Sequence, residues 1–160
     1  MLEHQKLLQQ LSYDSQTGIF LWRVTRHRIT IGTQAGSISD KGYRIIRLYQ
    51  KTYKAHRLAW FYVHGVWPTG IIDHRDGIGD HNWIKNLRDT TQQVNCENKK
   101  VARKKSTSTL MGVSYVPKLN KFKAQIVVKG VYKYLGVFYT EQAAHDAYME
   151  EKKLSHQGFV

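Results

Sequence analysis

The chain has 160 residues, 41% of them hydrophobic, and its 25 Lys or Arg residues against 12 Asp or Glu give a formal charge of +13. The longest apolar run, residues 58–63, is far shorter than the roughly 18 residues of a membrane span, the first residues lack the apolar segment of a secretory signal, and the single cysteine, Cys96, excludes an internal disulfide and a multi-cysteine zinc site. We therefore expect a soluble protein of the reducing cytoplasm, with one ordinary domain or two small ones. The charge favours a polyanionic partner such as nucleic acid or an anionic membrane surface.

The first half of the chain predicts short strands followed by one helix. A polar turn at residues 14–18 precedes a short strand, and residues 42–57 alternate in the manner of a strand that leads into a hairpin turn. The Gly-rich interval 31–42 is typical of a connection. Apolar residues recur at helical spacing over residues 55–62, and Gly65 is the expected end of that helix.

The second half predicts a helix, a linker and a second small fold. Residues 90–105 contain no Gly or Pro and follow the polar start Asp89-Thr90, so we expect a helix that frays into a basic linker. Three strand-like runs come next, separated by turn residues such as Asn120. The remaining residues predict a helix whose N-cap is Thr140.

The charge is concentrated in two basic blocks on either side of an acidic centre. Residues 98–140 hold ten Lys or Arg residues and no acid, and residues 15–72 hold nine basic residues and the single acid Asp40. Five of the twelve acids lie in residues 73–97. One interpretation is a solvated surface that is basic by composition. The sharper interpretation is two DNA-gripping segments around a metal-binding centre.

Residues 71–95, IIDHRDGIGDHNWIKNLRDTTQQVN, hold the residue types that such a centre needs. Asp73 is a hard oxygen ligand of the kind that Mg²⁺ accepts, and an Asn side chain on a following helix would supply a second ligand. His74 is the candidate general base, because an unperturbed imidazole titrates near pH 6.5. Adjacent strand residues point to opposite faces, so both side chains can reach one centre only where the strand ends, as Arg75-Asp76-Gly77 suggests.

Four spaced elements, HRLAWFYVHGVWP, DH, NWIKNLR and TTQQVNCENK, resemble the HNH endonucleases, in the branch with asparagines at the second and third letters that occurs in bacteriophage and intron-encoded homing nucleases. The resemblance covers roughly residues 11–100. It implies a ββα-metal (His-Me finger) fold, with His74 as general base and Asn86 in the catalytic centre, holding the intervening loop. It also implies one divalent ion, Mg²⁺ or Mn²⁺, bound by Asp73 and Asn95, and no other cofactor.

The last segment, GVSYVPKLNKFKAQIVVKGVYKYLGVFYTEQAAHDAYMEEKK, resembles the AP2 type of DNA-binding domain. This resemblance implies a three-stranded antiparallel sheet packed on one helix, with the sheet in the major groove. Lysines that contact phosphates give affinity without sequence information. Together with one helix arginine and the linker cations, the predicted DNA contacts are Arg57, Lys99, Lys100, Arg103, Lys104, Lys105, Tyr115, Lys118, Lys121, Lys123, Gln125, Lys129, Lys133 and Tyr134.

Several other polar residues have two interpretations. Asn82 either caps a turn or takes part in the centre. His56 and Arg57 either pack the helix or contact a phosphate. His81 is expected at the surface rather than as a metal ligand, and Cys96 is expected to pack as a small apolar residue.

We therefore predict an α+β protein with an HNH nuclease domain at residues 1–100, a basic linker at residues 101–108 and a small AP2-like domain at residues 109–160. The predicted function is metal-dependent cleavage of double-stranded DNA by a monomer or weak dimer that nicks one strand at a time. Such an enzyme resembles homing or free-standing phage endonucleases, which act in the host cytoplasm, and no membrane partner is expected. The alternatives are a DNA-binding protein with an inactive centre and a nuclease directed at RNA.

Overall fold

A computed structural model describes residues 2–25, 27–99, 108–156 and 158–159. The chain divides into two compact units, Met1–Gln92 and Gln93–Val160. Most of the predicted linker lies outside the described residues, and so do four of the predicted DNA contacts, Lys100, Arg103, Lys104 and Lys105.

The first unit begins with a helix and a two-stranded hairpin. Helix α1, His4–Gln10, is followed by β1, Leu11–Tyr13, and β2, Phe20–Trp22, which pair antiparallel. The predicted turn before β2 is present, because the carboxylate of Asp14 accepts hydrogen bonds from the Gln16 amide and the Thr17 hydroxyl. The first helix was not predicted, although its leucines fit helical spacing and supply buried Leu7 to the core.

A three-stranded sheet and the central helix follow. Strands β3, Ser37–Ile38, β4, Arg44–Leu48, and β5, Lys51–Lys54, form an antiparallel sheet in that order. The predicted strand and hairpin turn are confirmed, whereas the interval 31–42 is more than a connection because it contains β3. Helix α2, Ala55–His64, ends as predicted at Gly65, which takes a left-handed φ of 71°.

A second hairpin completes the first unit. Strands β6, Ile71–His74, and β7, Leu87–Thr90, pair antiparallel, and a 3₁₀ turn, Ile84–Asn86, precedes β7. The buried face of α2 packs with the strands into one core, whose fully buried members include Leu11, Phe20, Ile46 and Leu58. The edge of this core holds the polar residues of the candidate site.

The helix predicted at residues 90–105 begins two residues later than expected and, within the described residues, is shorter than expected. Helix α3 spans Gln92–Glu97, and the expected polar start, Asp89-Thr90, belongs to β7 instead. The Asp89 carboxylate accepts hydrogen bonds from the amides of Thr69 and Gly70, so it closes a loop rather than capping a helix. Cys96 is exposed, which corrects the expectation that it packs as an apolar residue.

The second unit contains the predicted sheet and helix. Strands β8, Val113–Val116, β9, Lys121–Val128, and β10, Val131–Phe138, form an antiparallel sheet with β9 in the middle. Helix α4, Glu141–Ser155, packs on this sheet, and the Thr140 hydroxyl caps it as predicted by accepting from the amide of Ala143. Within the described residues, no helix combines the length and the apolar character of a membrane span.

A buried lysine ties α4 to the residues that follow α3. Lys152 is 1% exposed, and its ammonium group donates to the Lys99 carbonyl at 2.5 Å and lies 4.5 Å from the centre of the Phe159 ring. The Glu97 carboxylate accepts a further hydrogen bond from the Gly158 amide. The two ends of the second unit are therefore held together by polar contacts as well as by the small apolar core around Ala124 and Ala144.

Candidate active site

Asp73 and His74 lie at the end of β6, where the strand turns away. Both side chains are almost fully buried, with exposed fractions of 6% and 5%. The Gly77 amide donates to the His74 carbonyl at 2.9 Å, so Arg75 and Asp76 form the turn that ends the strand. The predicted strand end at Arg75-Asp76-Gly77 is confirmed. Both side chains can be buried here because each one has a polar partner.

The partner of His74 is Asn82. Asn82 is 1% exposed, and its Oδ1 lies 3.2 Å from Nε2 of His74. The Nδ2 group of Asn82 donates to the Asp80 carbonyl at 3.0 Å, which leaves Oδ1 to face the imidazole. An amide oxygen accepts only, so Nε2 of His74 carries a proton and Nδ1 is the basic nitrogen of the neutral ring. Of the two interpretations of Asn82, the structure supports participation in the centre.

The Asn82 segment is supported by the first hairpin of the chain. The Tyr13 hydroxyl donates to the Asn82 carbonyl at 2.7 Å, and the Ile84 amide donates to the Ser15 carbonyl at 3.1 Å. Gly18 has a φ of +76°, and a Cβ at this residue would lie 2.3 Å from the Trp83 backbone nitrogen. Only glycine allows this close approach without displacement of one backbone, so the hairpin fixes the position of Asn82.

A second histidine lies against His74. The His56 ring is buried and meets the His74 ring edge to face, with centroids 5.0 Å apart, and Tyr43 contacts both rings. Burial lowers the pKa of His56 to about 3, and the neighbouring His74, Lys54 and Arg57 add to this shift. Burial also lowers the pKa of His74, although the hydrogen bond to Asn82 and two nearby carboxylates oppose this shift. Both imidazoles are therefore neutral at pH 7.

Asp73 is held by an arginine on the neighbouring strand. The register of the hairpin pairs Asp73 with Arg88, whose Nε and Nη2 both donate to Oδ2 of Asp73 at 2.9 and 2.7 Å. The Arg88 side chain is 14% exposed, so this ion pair is shielded from water. A charged hydrogen bond in such surroundings is stronger than one at the surface. Arg88 was not predicted, yet a basic residue opposite Asp73 follows from the pairing of the two strands.

Asn86 braces the loop between the two strands. It is 4% exposed, and its Nδ2 donates to Oδ1 of Asp76 at 3.0 Å and to the His81 carbonyl at 2.8 Å, while its Oδ1 accepts from the Asp76 amide. Burial opposes the charge of Asp76, but hydrogen bonds from the Ile78 amide, His81 and Asn86 outweigh burial and lower its pKa. These contacts are those of a residue that shapes the loop around His74.

His81 and Arg57 hold other parts of the same region. His81 Nδ1 lies 2.6 Å from a carboxylate oxygen of Asp76, and Asp80 accepts two hydrogen bonds from Arg44, at 2.9 and 3.0 Å. Arg57 donates to the carbonyl of Gly70 at 3.2 Å, so its guanidinium group stabilises the loop after α2. Contact between Arg57 and a phosphate stays a prediction.

The predicted metal ligands are chemically suited to Mg²⁺ or Mn²⁺. Asp73 offers a carboxylate and Asn95 an amide oxygen, and Mg²⁺ binds through one or two protein carboxylates while it keeps several waters. Among the described residues, no group of three or more His, Cys, Asp or Glu side chains is arranged to hold a metal ion. Asn95 lies in α3, half-buried, in the second unit. Each donor by itself is of a type that a hard cation accepts, and the assignment of both ligands stays a prediction.

The predicted DNA contacts of the second sheet divide between its two faces. Tyr134 pairs with Gln125, and Lys123 follows on the same face of β9, away from the buried residues Ala124 and Ile126. Lys133 pairs with Ile126 instead, and its ammonium group donates to Glu151 of α4 at 2.7 Å.

The other predicted contacts lie at the edges and turns of this sheet. The Tyr115 hydroxyl donates to the Asn120 side chain at 2.7 Å, and its ring lies 5.3 Å from that of Phe122. Lys121 lies over the ring of Tyr139, at 4.1 Å from its centre. Exposed side chains at the turns and after α3 complete the set: Lys99, Lys118 and Lys129.

Four residues that support the centre were not predicted from the sequence. Arg88 and Asp76 lie inside the motif, and their positions could have been predicted from strand pairing and from a turn with Asp before Gly. Tyr13 and Gly18 carry no local signal, since their role depends on a contact with residues more than sixty positions away. Of the two interpretations of His56, packing of the helix and contact with a phosphate, the structure supports packing.

The segment that holds the candidate site is similar to known proteins. Residues 53–96 match the family model described as HNH endonuclease. The chain is 32% identical over 96 residues to the DNA endonuclease I-HmuI of Bacillus phage SP01, in an alignment that covers 57% of the chain and 53% of that relative. The chain therefore spans about half the length of the curated relative that it matches. No solved structure matches the chain.

These similarities confirm the HNH resemblance for the segment that carries Asp73, His74 and Asn86, and they support a nuclease function. They do not support the AP2-type assignment of the second unit, which stays a prediction. Residues 53–96 are therefore similar to the HNH endonuclease family.

Proposed function

We propose that this protein is a metal-dependent endonuclease that hydrolyses a phosphodiester bond in double-stranded DNA, in the manner of a homing endonuclease. One observation carries the proposal: a buried His74 lies beside Asp73 at the end of β6, with its ring oriented by Asn82. A general base needs an accessible lone pair and a fixed direction, and this arrangement supplies the direction. The similarity to a phage DNA endonuclease supports DNA as the substrate.

His74 performs the proton transfer in this mechanism. Because Nε2 carries the proton shared with Asn82, Nδ1 accepts a proton from the water that attacks the phosphorus atom. The hydrogen bond to Asn82 prevents rotation of the ring while the imidazole becomes positively charged. The carboxylates of Asp73 and Asp76 lower the cost of that charge, since both raise the pKa of His74 against the effect of burial.

The residues proposed to hold a divalent cation are Asp73 and Asn95. When bound, such a cation neutralises charge on the phosphate and on the leaving oxygen. Arg88 holds the Asp73 carboxylate in one orientation, because two charged hydrogen bonds reach the same oxygen. Asn86 keeps the loop between β6 and β7 closed behind His74.

The second unit is proposed to increase the affinity for DNA. Residues 98–140 carry ten basic residues and no acid, so the sheet of this unit attracts the phosphate backbone. We retain the division into a nuclease domain and an AP2-like domain as part of this proposal. One centre per chain attacks one phosphate at a time, so a monomer or weak dimer in the host cytoplasm nicks a single strand.

A plasmid assay tests the proposal. Purified protein with Mg²⁺ or Mn²⁺ should convert supercoiled plasmid into the nicked form before any linear product appears, and EDTA should stop the reaction. Linear product without a nicked precursor at low enzyme concentration would contradict nicking by a monomer.

The second candidate is a DNA-binding protein with an inactive centre. The two hydrogen bonds from Arg88 to Asp73 favour it, since an arginine so placed competes with a cation for the carboxylate. A protein that shifts DNA in a gel but leaves plasmid supercoiled with every divalent metal would establish this alternative. A nicking rate that rises with metal concentration would exclude it.

A further inference from the structure

Two tyrosines stand on the open face of the second sheet. Tyr132 is 75% exposed and Tyr134 is 62% exposed, although both lie within β10. Across the strand pair they face Val127 and Gln125, whereas α4 covers the alternate residues Ala124 and Ile126. We call this surface the tyrosine face, and its members are Lys123, Gln125, Val127, Tyr132 and Tyr134.

The tyrosine face is basic at its margins and has no acidic residue within its strands. Lys123 belongs to the face, Lys129 is exposed at the turn from β9 to β10, and Lys121 lies 4.1 Å from the centre of the Tyr139 ring. No Asp or Glu occurs between residues 98 and 140. Glu151 of α4, the carboxylate paired with Lys133, lies on the covered side of the sheet. The face therefore combines aromatic rings with a positive field, which fits a polyanion with exposed aromatic groups.

The separation of Tyr132 and Tyr134 along β10 bears on which form of DNA can stack on both rings. Residues two apart on a strand are separated by about 6.7 Å, which is about twice the rise of roughly 3.4 Å between bases stacked in a duplex. A base pair inside a duplex also hides its flat surfaces between neighbours, whereas an unpaired strand can place one base on each ring. Stacking on aromatic side chains tolerates any base, because every base has an aromatic surface.

We propose that the tyrosine face binds unpaired bases of single-stranded DNA, with one base stacked on Tyr132 and the next on Tyr134. The choice of DNA over RNA rests on the proposed function, since unpaired bases become available where a nicked strand separates from its complement. Lys123 and Lys129 contact the phosphates of the same strand. This surface differs from a sheet placed in the major groove, where the contacts would be made to base edges of an intact duplex.

Fluorescence anisotropy on the full chain tests the proposal. The probes are a labelled oligo-dT strand of about 12 nucleotides, a duplex of the same length and an RNA strand of the same length, all at one salt concentration with EDTA to prevent cleavage. Tyr132→Ser and Tyr134→Ser should each weaken binding of the DNA strand by about 5- to 150-fold. Tyr132→Phe and Tyr134→Phe keep the ring and should stay within about twofold of wild type. Duplex affinity should change little in any of these variants.

The matched control is Leu154→Ser, which removes an equally exposed apolar side chain, 80% exposed, from α4 of the same unit. It should leave binding of the DNA strand unchanged. If the serine variants lost equal affinity for the DNA strand and for the duplex, the proposal would be overturned in favour of a duplex surface. If the wild-type protein bound the RNA strand more tightly than the DNA strand, and the serine variants lost more affinity for RNA, it would be overturned in favour of RNA. Unchanged affinity for the DNA strand in both serine variants would also overturn it.

A crosslinking measurement identifies the stacked residue directly. A strand with 5-iodouracil should crosslink on irradiation to Tyr132 or Tyr134, as read by mass spectrometry of the digested protein, and crosslinks confined to other residues would contradict the assignment. Plasmid nicking and strand binding by the wild-type protein separate the two proposals. A wild-type protein that nicks plasmid but does not bind the DNA strand would overturn only the tyrosine face, whereas one that binds the strand without any nicking would overturn only the nuclease.

Discussion

The Asn82 side chain fixes the ring of His74 through a buried contact of 3.2 Å between Oδ1 and Nε2. The contact determines which imidazole nitrogen carries the proton, because Asn82 uses its amino group on the Asp80 carbonyl. It also links the predicted base to the loop of seven residues that separates His74 from Asn82 in the sequence. The chemistry proposed for His74 therefore depends on how firmly that loop is held.

Replacement of the base should separate catalysis from DNA binding. His74→Ala should lower the nicking rate by about 10²- to 10⁴-fold, because a positioned general base contributes roughly that factor, while DNA affinity stays nearly unchanged. The measurements are plasmid nicking with Mg²⁺ and a gel-shift titration at the same salt. His27→Ala, a change at an exposed histidine, is the control and should nick normally. A wild-type rate in His74→Ala would remove His74 from the mechanism.

The role of Asn82 is tested by a double-mutant cycle. Asn82→Ala should lower kcat by about tenfold or more, since the ring of His74 loses its fixed direction. In a His74→Ala background the same change should have almost no further effect, because a positioning residue acts only through the group that it positions. Independent, multiplicative losses in the double variant would show that Asn82 acts by another route.

The metal ligands are tested by titration with Mn²⁺. Asp73→Ala should abolish detectable binding in calorimetry together with cleavage, and Asn95→Ala should weaken both more mildly, because a neutral amide binds a divalent cation less strongly than a carboxylate does. Asp40→Ala removes an exposed carboxylate elsewhere in the first unit and serves as the control. Unchanged Mn²⁺ affinity in Asp73→Ala would disprove the proposed site.

Loss of the Asn86 side chain should affect the fold as well as the activity. Asn86→Ala leaves the Asp76 amide and the His81 carbonyl without their buried partner, at a cost on the order of 3 kcal/mol in the free energy of unfolding. Urea unfolding followed by tryptophan fluorescence measures this, because all four tryptophans lie in the first unit. Gln16→Ala, at an exposed turn, should cost far less. Lost activity with unchanged stability would instead favour direct participation of Asn86.

Burial of His56 predicts a loss of stability in acid. Its pKa is about 3 in the folded state and near 6.5 when unfolded, so between these values only the unfolded state binds the proton. The contribution of the neutral His56 to the free energy of unfolding is complete above pH 6.5. It decreases as the pH falls and is smaller by ~2 kcal/mol at pH 5. His56→Phe should reduce the difference in unfolding free energy between pH 7 and pH 5 by about this amount, whereas His27→Gln should not. An equal pH dependence in wild type and His56→Phe would contradict the buried neutral state.

The parts of the fold that depend on nearby residues could be predicted from the sequence. The end of α2 at Gly65, the cap at Thr140 and the end of β6 after His74 each follow from signals within a few positions. The start of α3 could not be predicted in this way. Asp89 looks like a helix start, yet tertiary hydrogen bonds to the 69–70 backbone place it in a strand.

The residues of the candidate site could be proposed from the sequence, but their hydrogen-bond and packing partners could not. The motif indicated Asp73, His74 and Asn86, because their spacing is local to one hairpin. The partners of these residues depend on strand register and on long-range packing, as shown by Arg88 across the hairpin and by His56 from α2. Single-sequence patterns carry no information about such pairs until the strands and helices are placed.

The Tyr13 contact with Asn82 changes what counts as the smallest transferable nuclease. The segment that matches the family model, residues 53–96, contains the proposed reacting side chains but neither Tyr13 nor Gly18. A chimera that grafts only this segment onto a new DNA-binding scaffold would inherit the motif while losing the partner of the Asn82 carbonyl. A functional cassette must therefore start before the first hairpin, and natural exchange of such modules would be expected to preserve that junction.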